Sequence, residues 1–191
     1  MMADQENQRY LPDVALPELL VPVSSLESLV RSSRDILIAV PSEGFRSLLV
    51  TIKPWLRPDA RLVWATKGFE SSTGDFLHDV VSEVIGDVPQ AVLSGPSFAA
   101  EVGRGLPTAL TIASKHDEWL TGVVELFHRG NMRVYSSRDM RGVQLGGAVK
   151  NVMAIAAGIS AGLHYGSNAR AALITRGLAE IMRLGESLGA D

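Results

Sequence analysis

Short apolar runs alternate with amphipathic stretches through residues 1–137, and the alternation then stops. ILIAVP (36–41) is a continuous apolar run ending in Pro-Ser, the pattern of a strand buried on both faces. In SEGFRSLLVTIKPWL, Phe45, Leu48, Leu49 and Ile52 recur at helical spacing and Pro54 marks the stop. RLVWAT (61–66) reads as a second buried strand, and Leu77, Val80, Val81 and Val84 line one face of the next helix. AVLSG (91–95), TALTIAS (108–114) and MRVYSS (132–137) read as three more strands. Leu120, Val123, Val124 and Phe127 lie at helical spacing between the last two. Strand, helix, strand with short connections predicts an α/β fold, a doubly wound parallel sheet covered on both faces.

From residue 138 onward no strand signal remains. RGVQLGGAVKNVMAIAAGISAGL and NARAALITRGLAEIMRLGESLGA read as two long helices broken at HYGS. Their length and apolar content predict central helices of an all-helical second domain, buried on several sides when that domain is whole, whereas two helices alone would leave most of that surface wet. The expected division is therefore 1–137, a partial Rossmann-like dinucleotide domain, and 138–191, the start of a helical domain. A dinucleotide domain opens on a strand and a G-x-G-x-x-G turn that seats the pyrophosphate on a helix N-terminus. No such fingerprint occurs here: the glycines of EVGRGLP and LGGAVK have the wrong spacing and do not follow a strand.

With 18 Lys and Arg against 21 Asp and Glu, and no basic block, nothing points to nucleic acid as a partner. The absence of cysteine excludes disulfides, thiolate metal sites and a cysteine nucleophile. His78, His116, His128 and His164 are scattered and form no helical ligand pair, so no metal is expected. The opening MMADQENQRYLPD is polar, unlike a secretory signal, and no apolar run is expected to span a bilayer. A cytoplasmic protein is the expectation.

Three motifs carry candidate chemistry. In ATKG, Lys67 follows a buried strand directly, where its ammonium faces the crevice in which such sheets bind ligands and neutralises a phosphate or an oxyanion. A solvated loop lysine is the plainer alternative. In SGPSFAAE, a strand runs through Gly95 and a hydroxyl, Ser97, into a helix start whose free N–H groups suit a phosphate. The alternative is an ordinary N-cap on Ser97. In GVQLGGAVKNVMAIAAG, Gly146 and Gly147 each cost about 1 kcal/mol relative to alanine inside a helix, which implies close approach of a backbone or a ligand. Lys150 and Asn151 interrupt this apolar stretch, and a desolvated lysine there is suited to proton transfer. A lysine with its stem on the core and its head in water is the competing reading. Farther on, Asn168 is placed to cap a helix, and Arg176 and Glu180 are spaced as a structural pair.

Taken together, NQRYLPDVALP, ILIAVPS, RLVWATKG, SGPSFAAEV, GLPTAL, RVYSS, GVQLGGAVKNVMAIAAGIS and SNARAALITRGLAEIMRLG resemble, in order, the bacterial NAD(P)-dependent sn-glycerol-3-phosphate dehydrogenases. The resemblance implies reduction of dihydroxyacetone phosphate to sn-glycerol 3-phosphate with NADH or NADPH, for phospholipid precursor synthesis, by a homodimer. It implies that Lys150 is the proton-transfer residue. Lys67, Gly95, Ser97 and Asn151 fall on the substrate side, and Lys67, Ala99 and Pro41 on the cofactor side. His164, Tyr165 and Ser167 depart from the residues usual in the family. The family's glycine fingerprint and its phosphate-holding Arg-Asn pair are not matched, so the expectation is a chain incomplete at both ends and inactive alone. Two other readings stay open: a non-catalytic or degenerate module, and a relative acting on 3-hydroxy acids.

Overall fold

The computed structural model describes residues 6–191; residues 1–5, the first part of the polar opening, lie outside them. The chain begins with a hairpin, β1 (Glu6–Asn7) against β2 (Leu11–Ala15), followed by α1 (Leu26–Ser32). Neither element is anticipated from periodicity. Ser25 caps α1 by accepting from the Ser28 amide, and Glu27 pairs with Arg31 one turn on.

Five further strands make one sheet in chain order: β3 (Asp35–Ile38), β4 (Arg61–Trp64), β5 (Gln90–Ser94), β6 (Thr108–Ala113) and β7 (Met132–Ser137). Between them lie α2 (Phe45–Ile52), α3 (Leu77–Val84), the short α4 (Ala99–Gly103) and α5 (Asp117–Phe127). Alternation along each strand separates two cores. Leu62, Trp64 and Val92 join Phe45, Leu49 and Ile52 of α2 and Leu77, Val80 and Val81 of α3 on one face. Val63, Ala91, Leu93, Leu110 and Ile112 join Trp119, Leu120 and Val123 of α5 on the other. Helices of 8 residues such as α2 and α3 are too short to persist alone. Burial of each large side chain, at about 1.5–3 kcal/mol, is what holds them.

The α/β class and the helix-covered sheet agree with the sequence pattern, and one joint differs from the all-parallel expectation. β3, β4 and β5 are parallel, as are β6 and β7, but β5 and β6 are antiparallel, with Val92 opposite Ala113 and Ser94 opposite Thr111. The chain leaving β5 passes only the five-residue α4 before it re-enters the sheet. A parallel return needs a full crossover, as α2, α3 and α5 provide elsewhere. A second difference concerns β3. It ends at Ile38 rather than Pro41, and as an edge strand it leaves Leu37 half exposed instead of buried on both faces.

The two long helices are α6 (Met140–Gly162) and α7 (Gly166–Ser187); the break at 163–165 overlaps the expected HYGS (164–167), of which Gly166 and Ser167 already belong to α7. Asp139 starts α6 by accepting from the Gly142 amide. α7 begins at Gly166 with Tyr165 at its N-cap, so Asn168 lies inside the helix and does not cap it. Most of the apolar surface of these two helices lies open, as expected for two such helices on their own. α6 buries only Met140, Gln144, Leu145 and Ser160, α7 only Gly185, and Val152, Ile155, Ile159, Leu178 and Met182 are all exposed. The two helices pack on each other and, through the first half of α6, on β5 and β6. By length and composition alone α6, at 23 residues, passes the threshold for a bilayer-crossing helix, a threshold that the core helices of water-soluble folds also pass.

Candidate functional site

Parallel strands end on the same edge of a sheet, so the residues that follow β3, β4 and β5 are gathered there without any pairing between them in sequence. Pro41, Lys67 and Gly95 stand in these three positions. The β4 end is tied to the β3 end by two bonds: the Ala65 amide donates to the Ile38 carbonyl at 2.9 Å, and Thr66 Oγ1 donates to the Val40 carbonyl at 2.7 Å. Next to Lys67, Gly68 takes φ +119°. Glycine is the residue that adopts that conformation without strain.

Helix α6 supplies the other wall. A cavity of about 260 Å³ lies between α6 and the ends of β4 and β5, with Lys67, Gly95, Thr111, Gly146, Gly147 and Lys150 among its lining residues. The close approach of α6 rests on Gly147, where a Cβ would meet Ser94 Oγ at 2.6 Å. At Gly146 a Cβ would meet nothing within 4 Å, so that glycine leaves open space beside the cavity. On the strand side, Gly95 has φ +139°, and a Cβ there would lie 2.9 Å from the Ala109 carbonyl oxygen.

The register of α6 is held by Gln144, which is buried. Its Nε2 donates both to the Met140 carbonyl and to His78 Nδ1, each at 2.8 Å, while its Oε1 accepts from the His78 amide at 3.3 Å. That amide belongs to the first turn of α3, whose Phe76 N-cap offers no side-chain bond, so α6 satisfies an orphan donor of α3. Burial holds the His78 imidazole below its ordinary pKa, which suits the neutral ring that accepts from Gln144.

Electrostatically the cavity is cationic. Lys67 Nζ donates to Ser97 Oγ at 3.1 Å, and that hydroxyl also lies 3.4 Å from the Gly95 carbonyl. Burial first, and the charge of Lys150 second, push the Lys67 ammonium below its ordinary pKa. Lys150 Nζ sits 5.2 Å from the centroid of the Phe98 ring, a cation–π contact from the turn after β5. Two like charges held together, with no carboxylate among the described residues that line the cavity, favour an anion as the third member.

Of the predicted site residues, Lys67, Gly95 and Lys150 come together in this cavity, and Ser97 joins them by its bond to Lys67. Ser97 is not the N-cap of α4: that position is Phe98, and α4 is one short turn. Ala99 lines a different cavity of about 360 Å³ on the opposite face, apolar apart from Ser97, which it shares with the site. Asn151 and Pro41 are exposed and line neither cavity. Sequence reasoning passed over Ser94, Thr111 and Phe98. The first two are reached only through the β5–β6 register, whereas Phe98 directly follows the singled-out Ser97 and its aromatic ring was an available signal.

The NAD-dependent glycerol-3-phosphate dehydrogenase N-terminus family model matches residues 1–120, and the corresponding C-terminus model matches residues 139–191. A Photorhabdus laumondii protein named glycerol-3-phosphate dehydrogenase (NAD(P)+) is 56% identical over 187 residues, covering 97% of this chain and 55% of that protein. A Thioalkalivibrio sulfidiphilus protein of the same name is 59% identical over 186 residues, covering 96% of this chain and 56% of that protein. The crystal structure of a Coxiella burnetii glycerol-3-phosphate dehydrogenase superposes with a TM-score of 0.94 at 46% identity, covering 100% of this chain and 58% of that one. The chain thus spans about half the length of the curated relatives it matches. With both family models matched in order over nearly every residue, the chain belongs to the NAD-dependent glycerol-3-phosphate dehydrogenases.

Proposed function

We propose that this chain forms the substrate-facing strand edge and the first substrate-side helices of a cytoplasmic enzyme that interconverts dihydroxyacetone phosphate and sn-glycerol 3-phosphate with NAD(H) or NADP(H). On this reading residues 1–137 are the dinucleotide side and 138–191 begin the substrate side, and the assembled enzyme is a homodimer. The observation that carries it is the convergence of Lys67, from a strand end, and Lys150, from α6, on one cavity at the strand edge.

A phosphorylated ketone is anionic, and it becomes more so as its carbonyl oxygen gains charge. Lys67, steadied by Ser97, binds oxygen and neutralises charge as a point cation. Lys150 gives its proton to the carbonyl oxygen as that oxygen becomes an alcohol, and takes it back in the reverse direction. Gly95 keeps the strand end narrow enough for substrate to approach, and Asn151, next to Lys150, is the remaining substrate-side candidate. The donor set and the open space at Gly146 fit the reactive end of a nicotinamide cofactor, which supplies the hydride when bound. Pro41, Lys67 and Ala99 are the residues proposed to hold it.

The test is a hybrid in which these 191 residues replace the matched segment of the Photorhabdus laumondii relative. The expected result is NADH or NADPH oxidation that depends on dihydroxyacetone phosphate, and its fall by about 10²–10⁴ in a folded Lys150→Ala hybrid, the usual worth of a positioned acid–base group. A folded hybrid without turnover would favour the non-catalytic module, and a full-rate Lys150→Ala hybrid would remove Lys150 from the chemistry.

A further inference from the structure

Three residues beyond Lys67, Glu70 turns its carboxylate inward and leaves only 5% of its side chain exposed. Arg46 of α2 grips both of its oxygens, Nε on Oε1 and Nη2 on Oε2 at 3.0 Å. The same guanidinium reaches Glu83 of α3 through Nη1 and Nη2, each at 2.8 Å. Thr73 Oγ1 donates to Glu70 Oε2 at 2.6 Å. The loop also closes on itself: the Glu70 amide donates to the Asp75 carbonyl and the Gly74 amide to the Glu70 carbonyl, both at 2.9 Å. Arg46, foremost, and Thr73 next, hold the Glu70 carboxyl down at about 2.

A buried ion pair is weak evidence for stability, because apolar residues of similar shape often serve as well. What a two-pronged guanidinium–carboxylate contact adds is fixed geometry. Here the fixed object is the loop that carries Lys67. The bonds of Ala65 and Thr66 set its position upstream of the lysine, and the Glu70–Arg46 contact sets it downstream. Glu70 and Arg46 are not among the residues that line the cavity.

From this arrangement we infer that Glu70 and Arg46 act as a clamp that positions Lys67, aiming its ammonium at Ser97 and into the cavity shared with Lys150. The inference rests on the role proposed above for Lys67. Glu70 and Arg46 are positioning residues, acting through Lys67 and not on the substrate. Because burial and Lys150 are the two causes that depress the Lys67 pKa, that titration reports whether the lysine is in place.

The experiment is trace isotopic acetylation of the full chain across pH, with Lys53, Lys67, Lys115 and Lys150 followed separately by mass spectrometry. In Glu70→Gln, the Lys67 midpoint is expected to rise by at least about half a pH unit, about a threefold change in its neutral fraction. Lys115, exposed beyond the end of β6, is the internal reference. Arg46→Lys keeps a cation but breaks the fork, and is expected to move Lys67 the same way. Folded variants whose Lys67 profiles superpose on the original overturn the clamp. Loss of the fold in both variants also overturns it, since the contact is then purely structural. Lys150→Ala separates the two claims. If it leaves the Lys67 midpoint unmoved, the shared-cavity reading fails, whereas failure of the Glu70 and Arg46 variants alone leaves that reading standing.

Discussion

A methyl group added to Gly146 and one added to Gly147 meet opposite surroundings, although the two glycines are neighbours on α6. At Gly146 the new Cβ has nothing within 4 Å, so Gly146→Ala keeps the helix-propensity gain of about 1 kcal/mol, a factor of about five in the folding equilibrium. At Gly147 the Cβ falls 2.6 Å from Ser94 Oγ, well short of ordinary van der Waals contact, and Ser94 is buried. Overpacking of this kind costs about 1–3 kcal/mol, so the net effect of Gly147→Ala runs from about zero to 2 kcal/mol of destabilisation. The clash is with a single hydroxyl; the next nearest atoms, Lys67 Cγ and Ser94 Cβ, are at 3.7 and 3.8 Å. In a Ser94→Ala background, Gly147→Ala should therefore become stabilising by about 1 kcal/mol, like its neighbour. Urea midpoints at constant m-value for the single and double variants give the coupling between positions 94 and 147 directly. If Gly147→Ala stabilises the chain as much as Gly146→Ala does, or if the coupling is zero, the close approach of α6 to β5 is not what that glycine serves.

Gly95→Ala combines a left-handed backbone with a Cβ 2.9 Å from the Ala109 carbonyl, and a loss of about 1–3 kcal/mol is expected in the same urea assay. Gln144→Leu removes the bonds to His78 and Met140 and leaves the His78 Nδ1 and amide unpaired. About 2–3 kcal/mol of stability should go with them, together with slower-exchange protection at the start of α3 read by hydrogen exchange. The Glu70 carboxyl is depressed from 4.5 to about 2, so its contribution is complete above about pH 4.5 and is lost as pH falls toward 2. Glu70→Gln should therefore flatten the acid limb of the stability profile relative to the original chain; identical limbs would show that the pair contributes nothing there.

Much of the sheet is legible in the sequence because β4 and β5, buried on both faces, read as continuous apolar runs, while α2, α3 and α5 between the strands carry clear helical spacing. The direction of β6 is not written in TALTIA, which reads the same either way. It follows from the brevity of α4, and AAEVG carries no signal of where that helix ends. Lys67, Gly95, Ser97 and Lys150 could be singled out because each is a polar or glycine residue set at the end of, or inside, an apolar run. Glu70 and Arg46 could not, since a charged residue in KGFES or FRSLL looks solvated until the chain folds back across the 24 positions that separate them. The long helices show what composition leaves out: it marks apolar surface that wants cover, but it does not say where the covering surface comes from.

The reversed strand β6 has a geometric consequence for Lys150. Because β7 runs with β6, the chain leaves the sheet away from the edge where Lys67 and Gly95 lie, and α6 must travel back to reach it. It starts beside Val92 and Ala113, where Met140 packs, and passes Ser94 at Gly147. From Asp139 to Lys150 the climb is about 16 Å at 1.5 Å per residue, and the helix serves as a measuring rod. Its length decides whether the ammonium arrives at the cavity mouth, and its 3.6-residue turn decides which way the ammonium faces. Removing one residue from this stretch would shorten the reach by only about 1.5 Å but swing Lys150 through about 100°. Angular phase, far more than distance, is what the spacing between Asp139 and Lys150 preserves.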